Sequence, residues 1–78
     1  MLKEQLDGLL RRIVDEPDSV EVEQFDSDGS IVFEVRVAEG DLGKVIGRQG
    51  RTARAIRNLL AERGALDDAH YEFEVVDD

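Results

Sequence analysis

Apolar residues recur at helical spacing at the head of the chain: Leu2, Leu6, Leu9, Leu10, Ile13 and Val14, with Lys3, Glu4, Asp7, Arg11 and Arg12 between them. A stripe of this kind, polar on its opposite side, predicts an amphipathic helix over residues 2–15, weakened somewhat by Gly8. Pro17 disfavours helical geometry at Glu16 and marks the exit, and Asp18-Ser19 completes a turn. The period then shortens to two. Val20-Glu21-Val22-Glu23 alternates, and so does Ile31 to Val37, with Ile31, Phe33, Val35 and Val37 on one face. These are two strands, joined by the turn residues Asp26-Ser27-Asp28-Gly29, in which Gly29 is expected to take positive φ.

Beyond the hairpin, Glu39-Gly40-Asp41 can start a short helix whose buried stripe is Leu42, Val45 and Ile46. Gly47 stops it. Gly50 directly precedes a third helix, predicted over residues 51–63, with Ala53, Ile56, Leu59 and Leu60 as its apolar positions and Gly64 as its C-terminal cap. Tyr71, Phe73 and Val75 alternate with Glu72 and Glu74 as a last strand. The predicted order is α-β-β-α-α-β, and helices segregated from a three-stranded sheet imply an α+β sandwich with the helices packed on one sheet face. Seventy-eight residues provide for one domain with one core.

Composition narrows the chemistry. The chain has no cysteine and one histidine, so disulfides and thiolate metal sites are excluded and no metal or cofactor is expected. No apolar run approaches the roughly 20 residues of a membrane span, and the N-terminus lacks the features of a signal peptide; a soluble, cytoplasmic protein is expected. His70 has no sequence-evident nucleophile partner, and no HExxH, P-loop or EF-hand spacing occurs, so an enzyme is not expected.

Charge changes the picture more. The formal charge is −9, yet between Lys44 and Arg63 six basic residues face only Glu62, which gives that stretch +5 and leaves −14 on the other 58 residues. The asymmetry points to one locally confined electropositive site, although an arginine-rich helix with a solvated face accounts for the charge equally well. Within this stretch lies Gly47-Arg48-Gln49-Gly50. A Gly-x-x-Gly spacing is weak by itself, roughly half a match being expected by chance at ordinary glycine usage near 7%. A second match, Gly40-Asp41-Leu42-Gly43, holds a carboxylate and a core leucine, which suits a helix start better than an anion site.

The later match joins two helices, is polar and basic between its glycines, and feeds into a helix N-terminus. Glycines allow the chain to turn sharply with its N–H groups outward, and the helix terminus adds unpaired donors and a positive dipole end. Lys44, Arg48 and Arg51 supply charge around the same point, a combination suited to phosphodiesters along a strand; a purely structural corner with exposed arginines is the alternative. On the third helix Ala53, Ile56 and Leu60 fall within about 60° of one another, with Arg51, Arg54 and Arg57 along one flank and Leu59 on the other. Leu59 is either an ordinary boundary residue or part of a partner-binding surface.

The segment Asp41 to Thr52, with Ile46-Gly47-Arg48-Gln49-Gly50 at its centre, resembles the signature of KH domains. The element order is similar to the type II, bacterial arrangement with its mixed sheet, and the continuation Gly50-Arg51-Thr52-Ala53-Arg54-Ala55-Ile56-Arg57-Asn58-Leu59-Leu60 looks closest to the KhpA family of small stand-alone KH proteins. The resemblance implies a single-stranded RNA-binding function in which Gly47 to Gly50 clamp the backbone of about four nucleotides. Val45 and Ile46 would then face bases across an apolar groove whose other wall comes from the second strand, while Lys44, Arg48, Arg51 and Arg54 meet phosphates. Arg57 lies nearer the core edge, and Gly43 matches a family glycine that permits close packing.

KhpA-like proteins associate with themselves or with a larger KH protein, KhpB (also called Jag or EloR), so the resemblance also implies a homodimer or such a heterodimer and gives the Leu59 flank a role. No aromatic lies near the loop, Phe25, Phe33, Tyr71 and Phe73 all being on strands, and the acidic remainder repels polyanions. Both features imply weak binding by one domain, strengthened by a second through effective concentration. The competing function is a protein interaction module in envelope or division control with little RNA contact.

Overall fold

The computed structural model describes residues 2–76. Helix α1 (Leu2–Ile13) turns Leu6 and Leu10 into the core, and Val14 follows them, its N–H still bonded to the Leu10 carbonyl at 3.2 Å. The chain leaves the helix through a 3₁₀ turn, Pro17–Ser19. Arg11 ties this exit to its own helix: it donates to Asp7 at 2.9 Å, to the Pro17 carbonyl at 2.8 Å and to the Val20 carbonyl at 3.4 Å.

Strands β1 (Glu21–Ser27) and β2 (Ser30–Arg36) form an antiparallel hairpin in which Ser27 pairs with Ser30. The loop is therefore two residues, Asp28 and Gly29, with φ of 50° and 86°. Positive φ at both central positions matches the right-handed twist of the strands, so the tighter turn lets both strands run further than the four-residue turn read from the sequence. Strand β3 (Tyr71–Val75) pairs with β2 in parallel, giving a mixed sheet of order β1-β2-β3.

Alternation puts Val22, Phe33, Val35 and Phe73 on the covered face, where they meet Leu6 and Leu10 of α1, Val45 of α2 (Leu42–Ile46), and Ala53, Ile56 and Leu60 of α3 (Arg51–Asp67). Phe33, Leu10, Val35 and Val45 are essentially inaccessible, and burying each such side chain stabilises the fold by about 1.5–3 kcal/mol. The opposite face carries a row of glutamates, Glu23 beside Glu34 beside Glu74, which accounts for part of the acidity outside the basic segment. The α-β-β-α-α-β order and the single helical layer expected from the sequence are present.

The end of α3 departs from expectation. Gly64 does not cap the helix; it is buried within it, and the helix runs one turn further to Asp67, with Asp68 in the left-handed conformation at φ 53°. The Ala69 N–H bonds back to the Gly64 carbonyl at 2.9 Å, and a Cβ on Gly64 would lie 2.5 Å from the Ala69 carbonyl oxygen. The glycine serves the close return of the chain toward β3. Asp67 fastens that return by accepting from Tyr71 Oη at 2.7 Å and Arg63 Nε at 2.9 Å. These bonds hold its carboxyl below the usual range, and the same contact raises the Tyr71 hydroxyl pKa.

Candidate nucleic-acid interface

Helix α2 is five residues long and ends at Ile46, after which Gly47 bonds back through its N–H to the Gly43 carbonyl at 2.8 Å. Gly47 has φ 81° and ψ 168°, a region open essentially to glycine alone. A tight turn, Arg48–Gly50, follows, in which Gln49 (φ 56°) and Gly50 (φ 74°) are both left-handed. Three positive-φ residues in four thus reverse the chain between two right-handed helices. Gly47 is also required sterically, since a Cβ there would lie 2.6 Å from the Thr52 backbone nitrogen and collide with its side chain. Gly50 faces open space and needs only its φ.

Arg48 and Gln49 project from this corner and are exposed. No side chain caps the N-terminus of α3; within the turn the Gly50 and Arg51 N–H groups bond the Gly47 and Arg48 carbonyls. The Arg48 and Arg51 side chains have no hydrogen-bonding or ionic partner among the described residues, which leaves their charge uncommitted. Arg54 reaches back to the Gln49 carbonyl at 3.4 Å and braces the loop. One turn on, Arg57 donates to the Phe73 carbonyl at 3.4 Å and lies 5.6 Å from the centre of the Phe73 ring, carrying the basic flank of α3 to β3.

The structure separates two residues expected to act together. Ile46 is 39% exposed beside the loop, whereas Val45 is 0% exposed and belongs to the core. Consecutive helical positions differ by about 100°, so a helix packed through Val45 must turn Ile46 outward, and only Ile46 of the two is open to a ligand. Strand β2 is central, paired with both β1 and β3, and β3 adjoins α3 through Arg57. Gly43, expected to permit close packing, has no heavy atom within 4 Å of the place a Cβ would occupy.

Asp41 is the residue that the sequence does not reveal. It is 2% exposed and its side chain caps nothing in its own helix. Its two carboxylate oxygens accept the N–H groups of Asp15 at 3.0 Å and Glu16 at 2.9 Å, fixing the exit of α1 to the start of α2. The Asp15 amide bond is the leading cause holding its carboxyl below the ordinary value, against the opposing effect of burial, with the Glu16 amide and the Lys44 charge assisting. An aspartate before a helix signals an N-cap; nothing in the local pattern points to amides 26 and 25 residues upstream. Lys44, one turn on, pairs with the Asp15 carboxylate at 2.8 Å, and that bond raises its pKa.

On the other flank of α3, Leu59 is 58% exposed and lines an apolar groove with Leu2, Leu6 and Leu9 of α1 and Ile56 and Leu60 of α3. No group of three or more potential metal ligands occurs among the described residues, and none of their helices is long and apolar enough to cross a membrane.

A model of the KhpA/KhpB KH domain matches residues 3–75. The chain belongs to this KhpA/KhpB family. The chain is 47% identical to the RNA-binding protein KhpA of Streptomyces coelicolor over 77 residues, covering 99% of this chain and 94% of the relative. It is 35% identical to the protein of the same name from Chlamydia trachomatis, covering 99% of both. It is 36% identical to the one from Clostridium acetobutylicum, covering 96% of this chain and all of the relative. No solved structure matches significantly. In the KhpA/KhpB frame the α+β fold with its mixed sheet is that of a KH domain, and Gly47 to Gly50 occupy the corner between its two successive helices.

Proposed function

We propose that this chain is a single-domain, non-catalytic, cytoplasmic protein that grips single-stranded RNA by its backbone at Gly47 to Gly50 and acts in post-transcriptional regulation. The observation that carries the reading is the exposed Arg48-Gln49 corner, left-handed at Gln49 and Gly50 and leading into α3 without a side-chain cap, with uncommitted Arg48 and Arg51 beside it. Membership of a family whose named relatives are RNA-binding proteins supports it. Arg48, Arg51 and Arg54 neutralise successive phosphates, Lys44 stands at the entry, and Ile46 meets a base face. The Arg48→Asp/Gln49→Asp double variant, altered only at exposed positions, should keep its circular dichroism spectrum and lose single-stranded RNA binding. A folded variant that binds as the parent does would refute the loop as the site.

A specific observation favours an added role in association. Leu59 and Leu9 leave an apolar groove open between α1 and α3. We infer that a second copy, or the KH domain of KhpB, covers it, doubling the phosphate contacts through effective concentration. Leu59→Asp should move the solution mass from dimer to monomer and weaken RNA binding; an unchanged mass removes this flank from the interface. If RNA binding proved negligible in every assembly state, the interaction-module function would stand in its place.

A further inference from the structure

Of the cations from Lys44 to Arg57, Lys44 is the one held by a carboxylate: Arg54 and Arg57 bond backbone carbonyls, and Arg48 and Arg51 are uncommitted among the described residues. Asp15, its partner, is not placed there by a loose tail. The buried Asp41 carboxylate takes the amides of Asp15 and Glu16, pinning the segment that carries the Asp15 side chain. Asp41 and Lys44 lie three residues apart across the start of α2, so the same stretch that anchors the Asp15 backbone also presents the ammonium to its carboxylate.

We propose that Asp15 is an affinity-setting residue that occupies Lys44 in the free protein in the place a phosphate oxygen would take. The inference rests on the reading of Gly47 to Gly50 as a backbone clamp. A carboxylate and a phosphate compete for the same ammonium with the same chemistry. The side chains of Lys44 and Asp15 are 41% and 77% exposed, so water screens the pair and an RNA strand displaces it at small expense. While the pair stands, Lys44 adds no net charge at the loop, and Asp15 sets a negative group beside the path of the strand. Asp15 thereby holds the affinity of one domain down.

The test uses the full chain and a fluorescein-labelled single-stranded uridine dodecamer, followed by anisotropy across a salt series. Asp15→Asn keeps the backbone amide that Asp41 needs and removes only the charge. It should tighten binding roughly two- to fivefold at low salt, because the strand no longer has to displace a carboxylate from Lys44, and the gain should shrink as salt screens the pair. Lys44→Met alone should weaken binding, since it removes the ammonium that a phosphate takes, and in that background Asp15→Asn should bring no gain. Glu16→Gln, which removes a neighbouring charge that does not touch Lys44, should give no comparable gain. A gain that survives Lys44→Met, or that Glu16→Gln reproduces, overturns the inference in favour of general charge removal. No gain from Asp15→Asn, with binding still lost in Arg48→Asp/Gln49→Asp, overturns it and leaves the clamp standing; binding retained in that double variant refutes the clamp itself.

Discussion

Two segments of this chain, Gly40-Asp41-Leu42-Gly43 and Gly47-Arg48-Gln49-Gly50, share a glycine spacing and follow one another closely, and they do opposite work. In the first, no glycine has positive φ or a crowded Cβ position, and the central carboxylate points inward to bond two distant amides. In the second, both glycines have positive φ and the residues between them point outward. Spacing is thus uninformative here; the side chains between the glycines decide whether the segment closes a core contact or opens a surface. An inward carboxylate needs donors, whereas outward basic groups are satisfied by water and stay open to an anion.

The comparison breaks most sharply at Gly47. Gly47→Ala places a Cβ against Thr52 in a backbone region closed to alanine, and should lower stability by about 3 kcal/mol and displace the loop. Chemical denaturation measures the first and RNA titration the second. Gly50→Ala is the internal control, because its Cβ meets nothing and only the φ of 74° is unfavourable; its loss should be about 1–2 kcal/mol. Equal losses at the two positions would show that Thr52 yields and that conformation alone is at stake.

The inward segment answers to a different variable. Asp41→Ala leaves the amides of Asp15 and Glu16 without their acceptor and should lower Tm by about 5–10 °C at neutral pH. Because the Asp41 pKa is lowered in the folded state, its contribution is complete above the ordinary carboxylate value of about 4 and is lost as pH falls through the lower folded value. The Tm difference between parent and variant should therefore shrink below about pH 4. A difference constant from pH 7 to pH 3 would mean that shape, not charge, is what Asp41 supplies.

How much of this is legible in the sequence follows from the range of each interaction. The elements, their order and the exposed loop are written in local periodicity and in the residues between the glycines, and both are readable. What escapes depends on distant partners. Asp41 reads as a helix cap until Asp15 and Glu16 arrive from α1. Lys44 reads as a free cation until the same contact delivers Asp15. Val45 and Ile46 look interchangeable until packing assigns one to the core. Gly64 reads as a stop signal until β3 returns against it.

The smallest effect is expected at Gly43, and it tests how separate the two segments are. Gly43 lies within α2 with no heavy atom within 4 Å of the position a methyl group would take, and its carbonyl bond from Gly47 involves only backbone. Alanine favours a helix interior over glycine by about 0.8–1 kcal/mol, so Gly43→Ala should stabilise the protein by roughly 0.5–1 kcal/mol. RNA affinity should stay within about twofold, since no contact of the loop runs through that Cβ position. A folded, stabilised variant that lost affinity would mean the RNA backbone itself approaches α2 at Gly43. The two glycine segments would then serve one ligand from adjoining turns, and the division between inward and outward work would hold for Asp41 alone.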